Sequence, residues 1–307
     1  MNMRSIELFS GAGGMALGLE RAGFETVGFF EHDKHACTTL RTNRPDWNVV
    51  EEDVRKVDFH AMHPVELVAG GPPCQPFSMG GKARGLNDPR DMFPQAVRAV
   101  RELEPKAFIF ENVRGLLRPA FADYVEFIRL QLTYPDFPVS DNVAWDQNLR
   151  RLQRHHTLRE KETGLRYKVT VHLADAADYG VPQRRLRVFF VGIRADLDAG
   201  WSFPAPTHSL DELLREKYVT GEYWLQHGLE PSPAPPRFTR KIDELRPEPL
   251  FRGKDRWLTV RDAVSDLPKP GGNGGIANHI PQSGAKVYPG HTGSPMDEPA
   301  KALKAGD

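Results

Sequence analysis

From the N-terminus to about Ile193, short apolar runs alternate with stretches whose apolar residues recur at helical spacing. The runs Ser5 to Phe9, Thr26 to Phe30, Glu66 to Ala69, Ala107 to Phe110, Lys168 to Leu173 and Arg187 to Gly192 read as strands. Met15 to Ala22, Lys34 to Arg41, Phe93 to Glu102 and Ala122 to Leu132 read as helices, because their apolar positions return every three or four residues. Strand and helix in alternation predict an α/β fold, a parallel sheet covered by helices. After Trp201 the pattern fades into Pro-rich and Gly-rich stretches such as Pro231-Ser232-Pro233-Ala234-Pro235-Pro236 and Pro270-Gly271-Gly272-Asn273-Gly274-Gly275. The expected division is a regular domain over residues 1–198 and a smaller, irregular one over 199–307.

Composition narrows this picture without naming a function. A chain of 307 residues can bury a full core, and its 41 Lys and Arg balance 41 Asp and Glu, so any contact with a polyanion must come from local patches. Two cysteines, Cys37 and Cys74, are too few for a disulfide framework or a cysteine-rich zinc site. No metal is expected; His155-His156 has no thiols nearby and reads as surface. Without an apolar stretch long enough to cross a bilayer or to serve as a leader, a soluble, cytoplasmic protein is expected.

The first strand runs into Phe9-Ser10-Gly11-Ala12-Gly13-Gly14 and then a helix, placing glycines where the backbone turns sharply and lies close to a ligand. A nucleotide-like cofactor is implied. The second strand ends in Glu31-His32-Asp33, and a carboxylate there can accept from both ribose hydroxyls of an adenosine. Asp53, with Val54 beside it, can take an adenine amino group, although an acid after a strand is equally ordinary surface chemistry. Gly11, Gly13 and Ala16 also fall on the three positions of the dinucleotide fingerprint, so a nicotinamide dehydrogenase competes at this point.

The strand over Glu66 to Ala69 opens into Gly70-Gly71-Pro72-Pro73-Cys74-Gln75-Pro76-Phe77-Ser78, a thiol on a proline-stiffened loop at the carboxyl edge of the sheet. Cys37, within a predicted helix, reads instead as a small buried hydrophobe. The strand Ala107 to Phe110 ends in Glu111-Asn112-Val113, bringing an acid to the same edge. Gln183-Arg184-Arg185-Leu186-Arg187 leads into another strand, and the period of two predicts Arg185 and Arg187 on one face.

Phe9 to Gly14, Pro73-Cys74-Gln75, Glu111-Asn112-Val113 and Gln183-x-Arg185-x-Arg187, in this order, resemble the DNA cytosine-5 methyltransferase family of bacterial restriction-modification systems, over Ile6 to about Arg194. The resemblance implies a Rossmann-like methyltransferase sheet with a target-recognition domain, S-adenosylmethionine rather than NAD as cofactor, and S-adenosylhomocysteine as product. It implies Cys74 as nucleophile toward C6 of a cytosine in double-stranded DNA, with Glu111, Asn112, Gln183, Arg185 and Arg187 as the rest of the catalytic set. Phe9 to Gly14, Glu31, His32, Asp53, Val54 and Pro72 would hold the cofactor. Arg185 or Arg187 would favour the thiolate, and a protonated Glu111 would offset charge building at N3 of the base. Because C6 is inaccessible in stacked DNA, the cytosine must flip out, with Phe77 and Ser78 at the mouth of its pocket.

The last two motifs of the family are not found. Trp257-Leu258-Thr259-Val260-Arg261-Asp262-Ala263 resembles part of one but precedes the Gly-rich stretch, and Tyr288 to Asp307 looks like the segment before those motifs. The chain is therefore expected to be truncated or one half of a split enzyme completed by a second chain. Alternatives are a tRNA cytosine-5 methyltransferase or a subunit inactive without its partner. The basic, aromatic stretches Arg237 to Lys241 and Phe251 to Trp257 can contact DNA phosphates or be a solvated surface.

Overall fold

The computed structural model describes residues 3–73, 91–140, 143–158, 164–197, 200–246, 253–268, 276 and 293–302. The chain folds as two compact units, one of Met1–Leu173 with Arg187–Phe203 and another of Ala174–Leu186 with Pro204–Asp307.

The first unit is built on the strands β1 (Met3–Leu8), β2 (Phe24–Glu31), β3 (Val49–Glu51), β4 (Leu67–Gly70), β5 (Ala107–Val113), β6 (Tyr167–Asp175) and, after the two-residue β7 (Gln183–Arg184), β8 (Leu186–Arg194). They form one seven-stranded Rossmann-like sheet in the order β3-β2-β1-β4-β5-β8-β6. The first five of that order are parallel, and β8 runs antiparallel to β5. Each parallel connection passes over a face of the sheet, so the strands are covered on both sides. Alternate residues accordingly serve two cores. Ile6, Leu8, Val68, Phe108 and Phe110 pack with α3 (Phe93–Leu103), α4 (Ala122–Thr133) and α5 (Trp145–Leu158). Leu67, Ala69 and Ile109 face the other way, toward Met15 and Leu19 of α1 (Gly14–Arg21).

The strand order reverses between β1 and β4, where ligands bind beyond the carboxyl ends of open α/β sheets. The glycine turn, the end of β2, the loop toward Cys74 and Glu111 all leave the sheet at that edge. All the expected strands and helices of this unit are present. The sequence pattern missed β3, three residues long, and α5, in which Leu149 and Leu152 are the only fully apolar side chains buried.

The second unit is irregular. Its helices α6 (Leu210–Arg215), α7 (Glu222–His227), α8 (Thr239–Leu245) and α9 (Val260–Val264) are short, and β9 (His208–Ser209) pairs with β10 (Asp255–Arg256) while β11 (Ala300–Lys301) pairs with β7. A small core of Leu213, Tyr223, Trp224 and Trp257 holds them. Among the described residues, no helix is long and apolar enough to cross a membrane.

Candidate active site

The turn from β1 to α1 depends on left-handed backbone at Phe9 (φ 56°), Gly11 (φ 54°) and Gly13 (φ 89°). Glycine is needed at position 13 for a second reason: a Cβ there would lie 2.8 Å from Leu40 Cδ2 and 3.2 Å from Trp47 Cζ3. At Gly11 the same construction meets nothing within 4 Å among the described residues, so the turn has a side open to them. The Gly11 amide donates to Glu31 Oε2 at 2.8 Å, and Glu31 Oε1 accepts from the amides of His32 and Asp33, each at 2.8 Å. Three amide donors fix this carboxylate in place, and each of its oxygens retains acceptor capacity.

Phe9, Glu31, His32, Asp53 and Val54 line one cavity of about 200 Å³, together with Pro73 and Met92. Pro72 is not among its lining residues. Ser10 turns away, its hydroxyl donating to the Glu7 carbonyl at 3.1 Å. Asp53 caps a short 3₁₀ turn and accepts from the Arg55 amide at 3.0 Å and from its guanidinium at 2.5 Å. The Arg55 side chain, then its amide, hold the Asp53 carboxyl down at about 2. An adenosine fits this donor and acceptor set: two carboxylates at the ends of adjacent parallel strands, an open glycine turn between sheet and helix, and apolar walls from Phe9, Phe30 and Val54.

Sequence reasoning missed Glu7. It lies within β1, is 2% exposed, and its Oε2 has no hydrogen-bond partner among the described residues. Burial raises its carboxyl to about 8; the Ala16 amide pulls it down and the charge of Glu31 pushes it further up. The available signal was an acid in the carboxyl half of a strand whose sheet is covered on both faces.

At the chemical end, Cys74, Gln75, Phe77 and Ser78 lie outside the described residues. The residues around them are fixed. The Asn112 side-chain amide donates to the Pro72 carbonyl at 2.9 Å, tying β5 to the chain two residues before Cys74, and its oxygen accepts from the Val113 amide at 2.8 Å. Arg187 lies opposite Val113 in the antiparallel ladder, and its Nε is 2.7 Å from Glu111 Oε1.

Arg185 departs from the expected strand geometry. Strand β8 begins at Leu186, and the Arg185 amide donates instead to Asp175 Oδ1 at 2.9 Å while its carbonyl accepts from the Ala176 amide at 3.1 Å. Gln183 and Arg184 pair with Ala300 and Lys301, not with β5. A carboxylate and a partner distant in sequence thus capture the backbone that strict alternation would give to the strand.

The basic stretch after Pro236 is compensated by acids: Arg237 by Glu298 at 3.0 Å, Arg240 by Glu244 at 3.1 Å and Lys241 by Asp211 at 2.9 Å. His156 Nδ1 is 2.8 Å from the Tyr134 hydroxyl on the first unit's helical face.

The family model for C-5 cytosine-specific DNA methylase matches residues 3–144 and, in an overlapping second match, 121–226. The Type II methyltransferase M.NgoMIV of Neisseria gonorrhoeae is 42% identical over 70% of this chain and 60% of its own length. The Type II methyltransferase M.AquIA of Picosynechococcus is 34% identical over 87% of this chain and 90% of its own length. With the Type II methyltransferase M.Eco47II of Escherichia coli, 41% identity extends over 69% of this chain but 44% of that protein. The chain thus spans between about half and nine-tenths of these curated relatives. With the glycine turn, the Asn112 tether and the Glu111–Arg187 pair falling inside the matched residues, the chain belongs to the C-5 cytosine-specific DNA methylase family.

Proposed function

We propose that this chain is a soluble, cytoplasmic enzyme that methylates C5 of cytosine in double-stranded DNA, using S-adenosylmethionine and a covalent bond between Cys74 and C6 of the base. Host DNA protection is the role that fits its Type II relatives. The observation that carries the reading is the Glu111–Arg187 ion pair on the strand whose next residue, Asn112, holds the approach to Cys74.

C5 of cytosine is a poor nucleophile. Attack of the Cys74 thiolate at C6 forms an S–C6 bond and moves the C5–C6 π electrons into an enamine whose C5 can take a methyl group. Proton loss from C5 then returns electrons to the ring and expels the thiolate. S-adenosylmethionine, when bound, supplies the electrophilic methyl group. Glu31 accepts from the ribose hydroxyls and Asp53 from the adenine amine, with Arg55 yielding part of its hold. Asn112 restricts the loop entering Cys74, lowering the entropy lost in presenting the thiol. Glu111, steadied by Arg187, meets the ring nitrogen side of the flipped base, where a hydrogen bond at N3 offsets the charge developing there.

Trapping tests the reading. Duplex DNA carrying 5-fluorocytosine, whose C5 substituent cannot leave, is incubated with the chain and S-adenosylmethionine. A covalent adduct is expected, absent in Cys74→Ser. No adduct with DNA but one with tRNA carrying 5-fluorocytosine would assign the same chemistry to an RNA substrate.

A further inference from the structure

The second unit contains a polar network with no part in the chemistry above, and it converges on Asp297. The Asp297 carboxylate accepts from Arg261 Nε at 2.7 Å and Nη2 at 3.2 Å, one bond to each oxygen, and from the Tyr223 hydroxyl at 2.8 Å. Its carbonyl accepts from Lys217 Nζ at 2.8 Å, an ammonium that lies within 5.1 to 5.4 Å of the ring centres of Tyr218, Tyr223 and Trp224. The neighbouring carbonyls of Met296 and Glu298 accept from the Arg261 and Val260 amides at 2.7 and 3.0 Å. Asp297 is therefore seated by side chain and backbone together, with little freedom to rotate out.

Three residues later the chain does something directional. The Ala300 amide donates to the Pro182 carbonyl at 2.8 Å, Ala300 and Lys301 lie in parallel register with Gln183 and Arg184, and the Gln183 side chain donates to the Lys301 carbonyl at 3.3 Å. From the other direction, the buried carboxylate of Asp175 accepts from the Arg185 amide and the Arg184 guanidinium. The backbone from Gln183 to Arg185 is thus held by Asp175 and by residues 300–301, and it runs through Leu186 directly into Arg187.

We propose that Asp297 is a positioning residue: seated by Arg261, Tyr223 and Lys217, it delivers the β11 backbone that holds Gln183 to Arg185 in register within this unit, the segment that carries Arg185 and leads to Arg187. This rests on the proposed role of those arginines in cytosine methylation. A purely stabilising peg would have no reason to hand its next residues to the one segment that carries the arginine motif. A misplacement of about 1 Å at a reacting group can cost about a hundredfold in rate, so the effect belongs in the covalent step and not in cofactor affinity.

The test uses Asp297→Asn, which keeps the size and removes the charge, and Ala300→Pro, which deletes the one amide donated to Pro182 and leaves the Asp297 seat intact. For each, hydrogen exchange of the full chain, the dissociation constant of S-adenosylhomocysteine and the rate of 5-fluorocytosine adduct formation are measured. Both variants are expected to lose protection locally over residues 176–187, to bind S-adenosylhomocysteine within about twofold of the parent, and to form adduct ten- to a hundredfold more slowly. Asp297→Glu is expected to recover part of the rate. Unchanged protection over 176–187 in Ala300→Pro would overturn the proposal, as would loss of protection spread evenly over the chain or a parent-like adduct rate beside an active parent. If the parent itself forms no adduct, the methylation reading fails, while the exchange data still decide whether Asp297 holds the arginine segment.

Discussion

Glu7 shows how much one side chain can be asked to do inside a covered sheet. Ionised, it would be a desolvated charge near Glu31; protonated, it can still accept from the Ala16 amide on a helix whose N-cap, Gly13, offers no side chain. Its folded value of about 8 stands above the ordinary 4.5, so the unfolded chain loses this proton first as pH rises. Stability from Glu7 is therefore complete below about pH 4.5 and lost progressively as pH climbs to about 8, by an amount on the order of a few kcal/mol. Denaturant midpoints at intervals between pH 5 and 8.5 should show Glu7→Gln gaining on the parent across this window; parallel profiles would mean that Glu7 is already ionised in the fold. Two glycines give a second residue-scale prediction with opposite signs. Gly13→Ala combines a left-handed φ of 89° with a 2.8 Å contact to buried Leu40, and is expected to cost about 2 kcal/mol and weaken binding of S-adenosylhomocysteine. Gly18→Ala, on the next turns of the same helix with open space at its Cβ, is expected to stabilise by about 0.5 to 1 kcal/mol. Thermal melts of the two variants side by side check both.

At the scale of elements, the β5–β8 ladder is the feature that joins two distant motifs. Antiparallel register sets Arg187 opposite Val113 and lets it reach Glu111, two residues back along β5. Glu111→Gln removes the charge that Arg187 faces and the carboxyl group placed toward N3. Single-turnover methylation should fall by a factor on the order of a hundred to a thousand with its pH dependence altered, while S-adenosylhomocysteine binds as before. An unchanged rate and profile would remove Glu111 from the chemistry. The sequence disclosed most of this ladder because each motif sits at the end of an apolar run, where strand pattern and chemistry coincide. It also disclosed the glycine turn and Glu31, for the same reason. What it hid depended on partners remote along the chain. Arg185 follows strand alternation in sequence, yet Asp175 takes its amide. Helix α5 is polar enough to read as a loop until α4 supplies a surface for Leu149 and Leu152. Glu7 looks like an ordinary polar position until both faces of the sheet are seen to be covered.

For the whole molecule, the two units differ in what holds them. The first has a large apolar core on one face of a sheet and a small one on the other, together with the cavity assigned to the adenosine. The second has a small aromatic core beside buried charges: Arg256 donates to both oxygens of Asp262 at 2.8 Å, reaches Glu216 at 2.9 Å, and lies over the Tyr223 ring. Burial pushes the Asp262 carboxyl upward, but the Arg256 bonds and those from Thr259 overcome it and hold the group far below its usual range. Such a pair is costly to break from one side, because the surviving charge stays buried; Asp262→Asn is expected to destabilise the second unit by about 3 kcal/mol. Ligand acts at the other place. S-adenosylhomocysteine at a hundred times its dissociation constant adds about 2.7 kcal/mol to whatever unfolds with its site. Hydrogen exchange should therefore separate the two effects: ligand is expected to slow exchange in residues 3–73, and Asp262→Asn to speed it in 204–268, each leaving the other region near its parent rate. Joint protection by ligand and joint loss in the variant would instead show that the two units open as one cooperative structure, with the stability of the arginine segment and of the cofactor cavity drawn from a single transition.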